Sequence, residues 1–295
     1  MCLKINTINI MNEKINQLTG SFLEGRTSRR SFIRQMSLIT GSTALALSIL
    51  PVLEDNHLSA AERMKKSEAL VAEFINYPAE TGDMRAYLAK PEGKKKLPAV
   101  IVIHENRGLV PHIQDVTRRM AQEGFLALAP DALSPVGGTP DDVSNAGELF
   151  AKLDGQQTIK NFTAAVKYLK SHPDSNGKVG CTGFCWGGAM TNNVAVHSED
   201  LDAAVPYYGR VPATEDVPKI KAPVLAHYAE NDERINAGIK EFEEALKKNN
   251  KEYQIYIYPG TQHAFNNDSN PDRYNKEAAQ LAWKRTVDFF KEKLK

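Results

Sequence analysis

Residues 179–190 of the chain read VGCTGFCWGGAM. This run predicts a short strand, a turn with a glycine on either side of Cys185, and the first turn of a helix. Residues 183–187 fit the nucleophile-elbow pattern G-x-S-x-G with cysteine in place of serine. The elbow requires small flanking residues because its strand and helix pack closely, and the helix start favours a thiolate or an oxyanion. The alternative is a buried cysteine that acts as a small hydrophobe in a glycine-rich turn.

Apolar runs alternate with segments of helical spacing on both sides of the elbow. Residues 99–104 (AVIVIH) contain an unbroken β-branched run at 100–103, which suits a central strand buried on both faces. Residues 73–77 and 84–88 alternate in polarity and predict an antiparallel hairpin. This order predicts an α/β fold with a mostly parallel central sheet, helices on both faces and one domain over residues 62–295. Further strands are predicted at 125–129, 179–182, 203–208, 223–228 and 253–258, and a last helix at about 275–293.

The composition excludes several classes of protein. The 295 residues are 42% hydrophobic and 25% charged, which is typical of a globular protein with one large core. A net charge of +1 gives no electrostatic argument for a nucleic-acid partner. Three cysteines are too few for a disulfide scaffold. The sequence contains no metal-ligand cluster and no phosphate-binding loop, so we expect neither a metal nor a cofactor.

The first sixty residues differ from the rest of the chain. Residues 28–34 (SRRSFIR) precede an uncharged stretch at 35–53, and the small residues 59–61 follow. This pattern resembles a twin-arginine export signal. It predicts a leader over 1–61 that is recognised by the twin-arginine export machinery and cleaved, leaving a periplasmic or secreted protein without stable membrane insertion. The alternatives are an uncleaved membrane anchor, for which Pro51 is unfavourable, and a cytoplasmic protein with an unused leader.

Four chemically suited side chains lie just past the ends of predicted strands, where functional groups collect in an α/β sheet. They are Glu105, Cys185, Asp232 and His263. The last three occur in the order nucleophile, acid, histidine, which is the chain order of α/β-hydrolases. Separately, Asp232 could be a helix N-cap, His263 a solvated loop histidine and Glu105 a surface carboxylate. Because all of them meet the same positional condition, we interpret them as one site.

The chain from about Ala99 to its C-terminus resembles dienelactone hydrolases (carboxymethylenebutenolidases), a cysteine-dependent branch of the α/β-hydrolases. The likeness lies in residues 104–108 (HENRG), in 183–188 (GFCWGG), in the loop of Asp232 and in 263–265 (HAF). The resemblance implies the α/β-hydrolase fold and a small ester or lactone as substrate.

The resemblance also implies a role for each residue of the site. Cys185 would be the nucleophile, His263 its base, and Asp232 the carboxylate that orients the histidine. Glu105 would contact the thiol in the resting enzyme. The implied oxyanion-hole donors are the backbone N–H groups of Trp186 and Asn106.

One position departs from the family pattern. In dienelactone hydrolases, arginines hold the substrate carboxylate, and one of them lies four residues after the catalytic histidine, where this chain has Asn267. We therefore predict a small carboxylic ester or lactone rather than a dienelactone. The candidate substrate-binding residues are Arg107, Tyr208, Arg210, Arg234 and Phe265. As alternatives, the three arginines could be solvated, and the two aromatic residues could belong to the core.

These patterns together predict a cysteine-dependent ester or lactone hydrolase that works through a Cys-His-Asp triad and an acyl-enzyme intermediate. One alternative is a catalytically inactive hydrolase fold that serves in binding. Another is a thiol redox protein that uses Cys181 and Cys185. The spacing argues against this alternative. Four positions along a strand separate two Cα atoms by about 13 Å, whereas a disulfide needs less than about 7 Å.

Overall fold

The computed structural model describes residues 27–40 and 69–295, together with the single positions 15, 18 and 21. The chain divides into two compact units, Met1–Ser67 and Glu68–Lys295.

The first unit contains helix α1 at Arg29–Thr40, which includes part of the predicted leader. Phe32 and Met36 on this helix are buried together with Leu18. Residues 41–61, with the predicted cleavage site, lie outside the described residues, so the leader and its cleavage stay predictions. Among the residues that are described, no helix is both long enough and apolar enough to cross a membrane.

The second unit is built on one sheet. Within residues 69–295, eight strands pair in the order β1-β2-β4-β3-β5-β6-β7-β8. The β1–β2 and β2–β4 pairs are antiparallel and the other five are parallel. The predicted, mostly parallel sheet with an N-terminal antiparallel hairpin is therefore confirmed. The strands are β1 Leu70–Ala79, β2 Gly82–Pro91, β3 Leu97–Ile103, β4 Leu126–Pro130, β5 Ser175–Phe184, β6 Ala203–Tyr207, β7 Val224–Asn231 and β8 Tyr253–Gln262.

Helices cover both faces of this sheet. Alternate residues of β3 point to opposite faces, so Ile101 belongs to one core and Val102 to the other. The Ile101 core includes residues of the helices at Gly155–Ser171 (α4), Trp186–His197 (α5) and Ile239–Lys248 (α7). The Val102 core includes residues of the helices at Pro111–Gln122 (α2) and Lys276–Lys293 (α8). The predicted two-faced arrangement is confirmed. The helices are α2 Pro111–Gln122, α3 Ala146–Phe150, α4 Gly155–Ser171, α5 Trp186–His197, α6 Glu233–Asn236, α7 Ile239–Lys248 and α8 Lys276–Lys293.

The last strand is longer than the sequence predicts. Strand β8 continues through Pro259 and Gly260 to Gln262, and its register against β7 shifts near Ala229. β8 lies at the edge of the sheet, where a proline need not interrupt a ladder of hydrogen bonds, and the irregularity accommodates the Pro-Gly pair. As a result, His263 directly follows the end of the strand.

Candidate active site

Cys185 lies between the end of β5 and the start of α5, with φ 55° and ψ −112°. This left-handed backbone is strained for any residue other than glycine, as the elbow pattern predicts. A Cβ atom added to Gly183 would lie 2.2 Å from the carbonyl oxygen of Gly187. A Cβ atom on Gly187 would lie 2.4 Å from the carbonyl oxygen of Ile103. The two glycines are therefore required by close packing of the helix start against β5 and β3.

The Cys185 thiol is partly buried and surrounded by charged groups. Burial raises its pKa, and the negative charge of Glu105 raises it further. The neighbouring backbone N–H of Trp186 and the positive charge of Arg234 lower the pKa. Because the pKa remains raised overall, the resting thiol is protonated near neutral pH.

The imidazole of His263 is bonded to a buried carboxylate. Its Nδ1–H donates to Oδ2 of Asp232, which leaves Nε2 as the ring nitrogen that can accept a proton. Asp232 precedes α6, but its side chain makes no capping hydrogen bond to that helix. The ring of Tyr208 packs edge-on against the His263 ring at a centroid distance of 5.1 Å. The charge of Asp232 also reaches the Cys185 thiol, so the predicted triad residues share one region.

Glu105 is held by the side chain of Asn267, which lies four residues after His263. Nδ2 of Asn267 donates a hydrogen bond of 2.7 Å to Oε2 of Glu105. The same carboxylate interacts electrostatically with the Cys185 thiol and with the hydroxyl of Tyr208. That hydroxyl is buried and has no hydrogen-bond partner among the described residues. Sequence reasoning noted the change at position 267 but missed the partner of Asn267.

The five candidate substrate-binding residues lie in different environments. Arg234 is exposed, and its charge acts on the Cys185 thiol. Arg107 and Arg210 are exposed in the loops that follow β3 and β6. Tyr208 and Phe265 are buried and pack against each other at 5.5 Å beside His263. The substrate-binding roles stay predictions.

The second cysteine of the domain is in a different environment. Cys181 is fully buried in β5, and its thiol donates to Oγ1 of Thr191 at 3.7 Å. Burial raises the pKa of this thiol to about 12. Both Cys181 and Cys185 are free thiols. In the part of the chain that the structure describes, no group of three or more His, Cys, Asp or Glu residues is arranged to hold a metal ion.

The sequence is similar to known proteins over most of this domain. A sequence model of the Dienelactone hydrolase family matches residues 84–294. A protein of Escherichia coli K12 that carries the name carboxymethylenebutenolidase is 34% identical over 241 residues, which cover 76% of this chain and 88% of the relative.

Solved structures show the same likeness in three dimensions. A protein of Klebsiella pneumoniae that carries the name dienelactone hydrolase has a TM-score of 0.69 and 31% identity, covering 75% of this chain and 98% of that one. A dienelactone hydrolase-like promiscuous phosphotriesterase from metagenomic libraries has a TM-score of 0.68 and 23% identity, covering 77% of this chain and all of its own. The second match shows the fold alone.

Proposed function

This chain belongs to the dienelactone hydrolase family and is a hydrolase of carboxylic esters or lactones, and we propose that Cys185 is its nucleophile. In this proposal, Cys185, His263 and Asp232 form a triad that acts through an acyl-enzyme intermediate. The observation that carries the proposal is the bond from His263 to the buried Asp232 carboxylate in the region of a strained, glycine-flanked thiol. A thiol at a helix start with a histidine that is fixed in one tautomer has the parts that nucleophilic catalysis needs.

The proposed reaction begins with proton transfer from the Cys185 thiol to Nε2 of His263. The thiolate attacks the ester carbonyl carbon, and the oxyanion that forms accepts hydrogen bonds from the backbone N–H groups of Trp186 and Asn106. The intermediate then collapses, and the leaving alkoxide takes the proton from His263. Water, deprotonated by His263, hydrolyses the thioester and releases the carboxylic acid with the free thiol. The effect of the Trp186 N–H on the pKa of the resting thiol supports its place beside the reacting atoms.

A test of the intermediate compares two esters that share an acyl group but differ in their leaving groups. With hydroxylamine present, the two esters should give the same ratio of hydroxamate to free acid, because both pass through the same acyl-enzyme. Product ratios are measured by chromatography of quenched reactions. A ratio of hydroxamate to free acid that differs between the two leaving groups would mean that water attacks the ester directly. No turnover of any ester or lactone would favour the binding-protein alternative.

Glu105 is proposed to keep the resting thiol protonated until substrate arrives. Glu105→Gln removes the charge and keeps an oxygen for Asn267, so the raised pKa of Cys185 should fall. Below that pKa, a decrease of one unit gives about ten times more thiolate, and we expect alkylation by iodoacetamide at pH 7 to accelerate about threefold to tenfold.

The control for this substitution is Glu148→Gln on the exposed side of α3, which should leave the alkylation rate unchanged. The rates are measured by mass spectrometry between pH 6 and pH 10, and above the pKa of both enzymes they should converge. Slower alkylation of the Glu105→Gln variant at pH 7 would instead identify Glu105 as a base that helps to ionise the thiol.

A further inference from the structure

His104 is a fully buried histidine at the end of β3 whose two ring nitrogens are both hydrogen-bonded. Its Nδ1 is 2.6 Å from the carbonyl oxygen of Glu105, and its Nε2 accepts a hydrogen bond of 3.0 Å from the backbone N–H of Ala132. Since Nε2 faces a donor and Nδ1 faces a carbonyl, the neutral ring must carry its hydrogen on Nδ1. Burial lowers the pKa of His104, which keeps the ring in this neutral form.

The carbonyl group that His104 binds has a direct link to the proposed chemistry. It belongs to the same peptide unit as the N–H of Asn106, one of the two donors proposed for the oxyanion hole. In a trans peptide the C=O and N–H bonds point in opposite directions, so a donor that fixes the carbonyl also fixes the direction of the N–H. A hydrogen bond to the carbonyl further polarises the peptide and strengthens its N–H as a donor.

The same ring also contacts the other proposed donor. The His104 imidazole stacks on the indole of Trp186 at 5.6 Å with an interplanar angle of 12°. The start of α5 lies directly against this strand end, since a Cβ atom on Gly187 would be 2.5 Å from the His104 carbonyl oxygen. One buried side chain therefore touches both segments from which the oxyanion-hole donors come.

The loop after His104 is fixed at its far end as well. The backbone N–H of Leu109 donates to Oγ1 of Thr139 at 2.8 Å, and Thr139 in turn donates to Oδ1 of the buried Asp131 at 2.7 Å. With the bond from Ala132 to His104, two contacts tie the loop at residues 104–109 to the segment that follows β4. The peptide between Glu105 and Asn106 lies between these two contacts, and the Nδ1–H bond of His104 opposes its rotation.

We propose that His104 is a positioning residue that orients the Glu105–Asn106 peptide so that the Asn106 N–H can stabilise the oxyanion. This role rests on the proposed function, because it acts only when a carbonyl carbon is attacked. His104 takes no part in proton transfer and does not touch the substrate.

Two substitutions of His104 separate the donor from the rest of the ring. His104→Asn places an amide N–H at the same number of bonds from the backbone as Nδ1, so it can still donate to the Glu105 carbonyl. His104→Leu has the same branching at Cγ but no donor. Both variants lose the stack on Trp186 and the acceptor for the Ala132 N–H. The difference in kcat between them therefore isolates the hydrogen bond to the Glu105 carbonyl.

We expect kcat for an activated ester to fall about a hundredfold in His104→Leu, with KM within about threefold of the unchanged enzyme. His104→Asn should retain at least about ten times the kcat of His104→Leu. Alkylation of Cys185 by iodoacetamide forms no oxyanion, so its rate should stay within about twofold in both variants. Thermal unfolding and circular dichroism identify any variant that does not fold.

Three results would overturn the proposal. Equal kcat values for the two variants would show that the donor is not what matters. Alkylation rates that fall in parallel with kcat would show a general distortion of the site, which is a structural role. If the unchanged enzyme, alkylated completely on Cys185, kept its ester turnover, the proposed nucleophile itself would be wrong and the role of His104 with it.

Discussion

Replacing Cys185 by alanine is expected to lower kcat for an activated ester by about 10⁴-fold to 10⁶-fold, as removal of the nucleophile does in related triads. Without the sulfur no acyl-enzyme can form, and only the oxyanion hole and substrate binding remain to help water attack. Alanine keeps the Cβ atom, so the strained backbone at φ 55° gains no new clash. Steady-state kinetics, with unfolding curves for both proteins, make the measurement.

The matched control is Cys181→Ala, which removes a thiol from β5, the strand that precedes Cys185. Cys181 is fully buried and bonded to Thr191, so its loss should lower the free energy of unfolding by about 1 kcal/mol through a small cavity and leave kcat near its original value. Undiminished turnover in Cys185→Ala would end the proposed mechanism. Loss of turnover in Cys181→Ala alone would return the redox interpretation to consideration.

Replacing Asp232 by asparagine should lower kcat by about 10³-fold to 10⁴-fold while the fold persists. The carboxylate accepts the Nδ1–H of His263 and stabilises the imidazolium that forms during attack. An amide carries no charge, and its NH₂ group can face Nδ1 and force the ring into the wrong tautomer. Aspartate and asparagine are almost equally good helix N-caps, and the Asp232 side chain makes no capping hydrogen bond, so a loss of kcat would be due to the altered contact with His263.

Asp154→Asn is the control for this substitution. Asp154 caps α4 by accepting a hydrogen bond of 2.8 Å from the backbone N–H of Gln157. The same change there should alter neither kcat nor thermal stability appreciably. If Asp232→Asn left kcat unchanged, as Asp154→Asn should, some group other than the Asp232 carboxylate would have to orient His263.

Local patterns were enough to predict the sheet and the order of the candidate triad. The β-branched run before His104 and the glycines around Cys185 are determined by neighbours in sequence, so they can be recognised without coordinates. The contact between Asn267 and Glu105 joins residues 162 positions apart, and no local pattern encodes it. The sequence also predicts too short a β8. A Pro-Gly pair ends a central strand but can be accommodated in an edge strand, and the position of β8 at the edge of the sheet is not visible in the sequence.

The role of His104 was not predicted, although the residue stands inside the motif that carries the resemblance. A histidine after a buried strand has no distinctive spacing, and its two hydrogen bonds depend on where Ala132 and the Glu105 carbonyl lie. The signal that could have been used is its position immediately before a proposed oxyanion-hole peptide. Sequence patterns predicted the candidate reactive groups in this chain, whereas the contacts that hold them could be read only from the three-dimensional arrangement.

The close approach at Gly183 and Gly187 has a practical meaning for attempts to change the substrate range of this enzyme. A mutant library that varies these two positions would consist mainly of misfolded members, since every side chain there meets a main-chain atom. Arg107 is exposed in the loop after β3, where a larger side chain can extend into solvent. Diversity introduced at such an outer position would leave the bend that presents the sulfur unchanged.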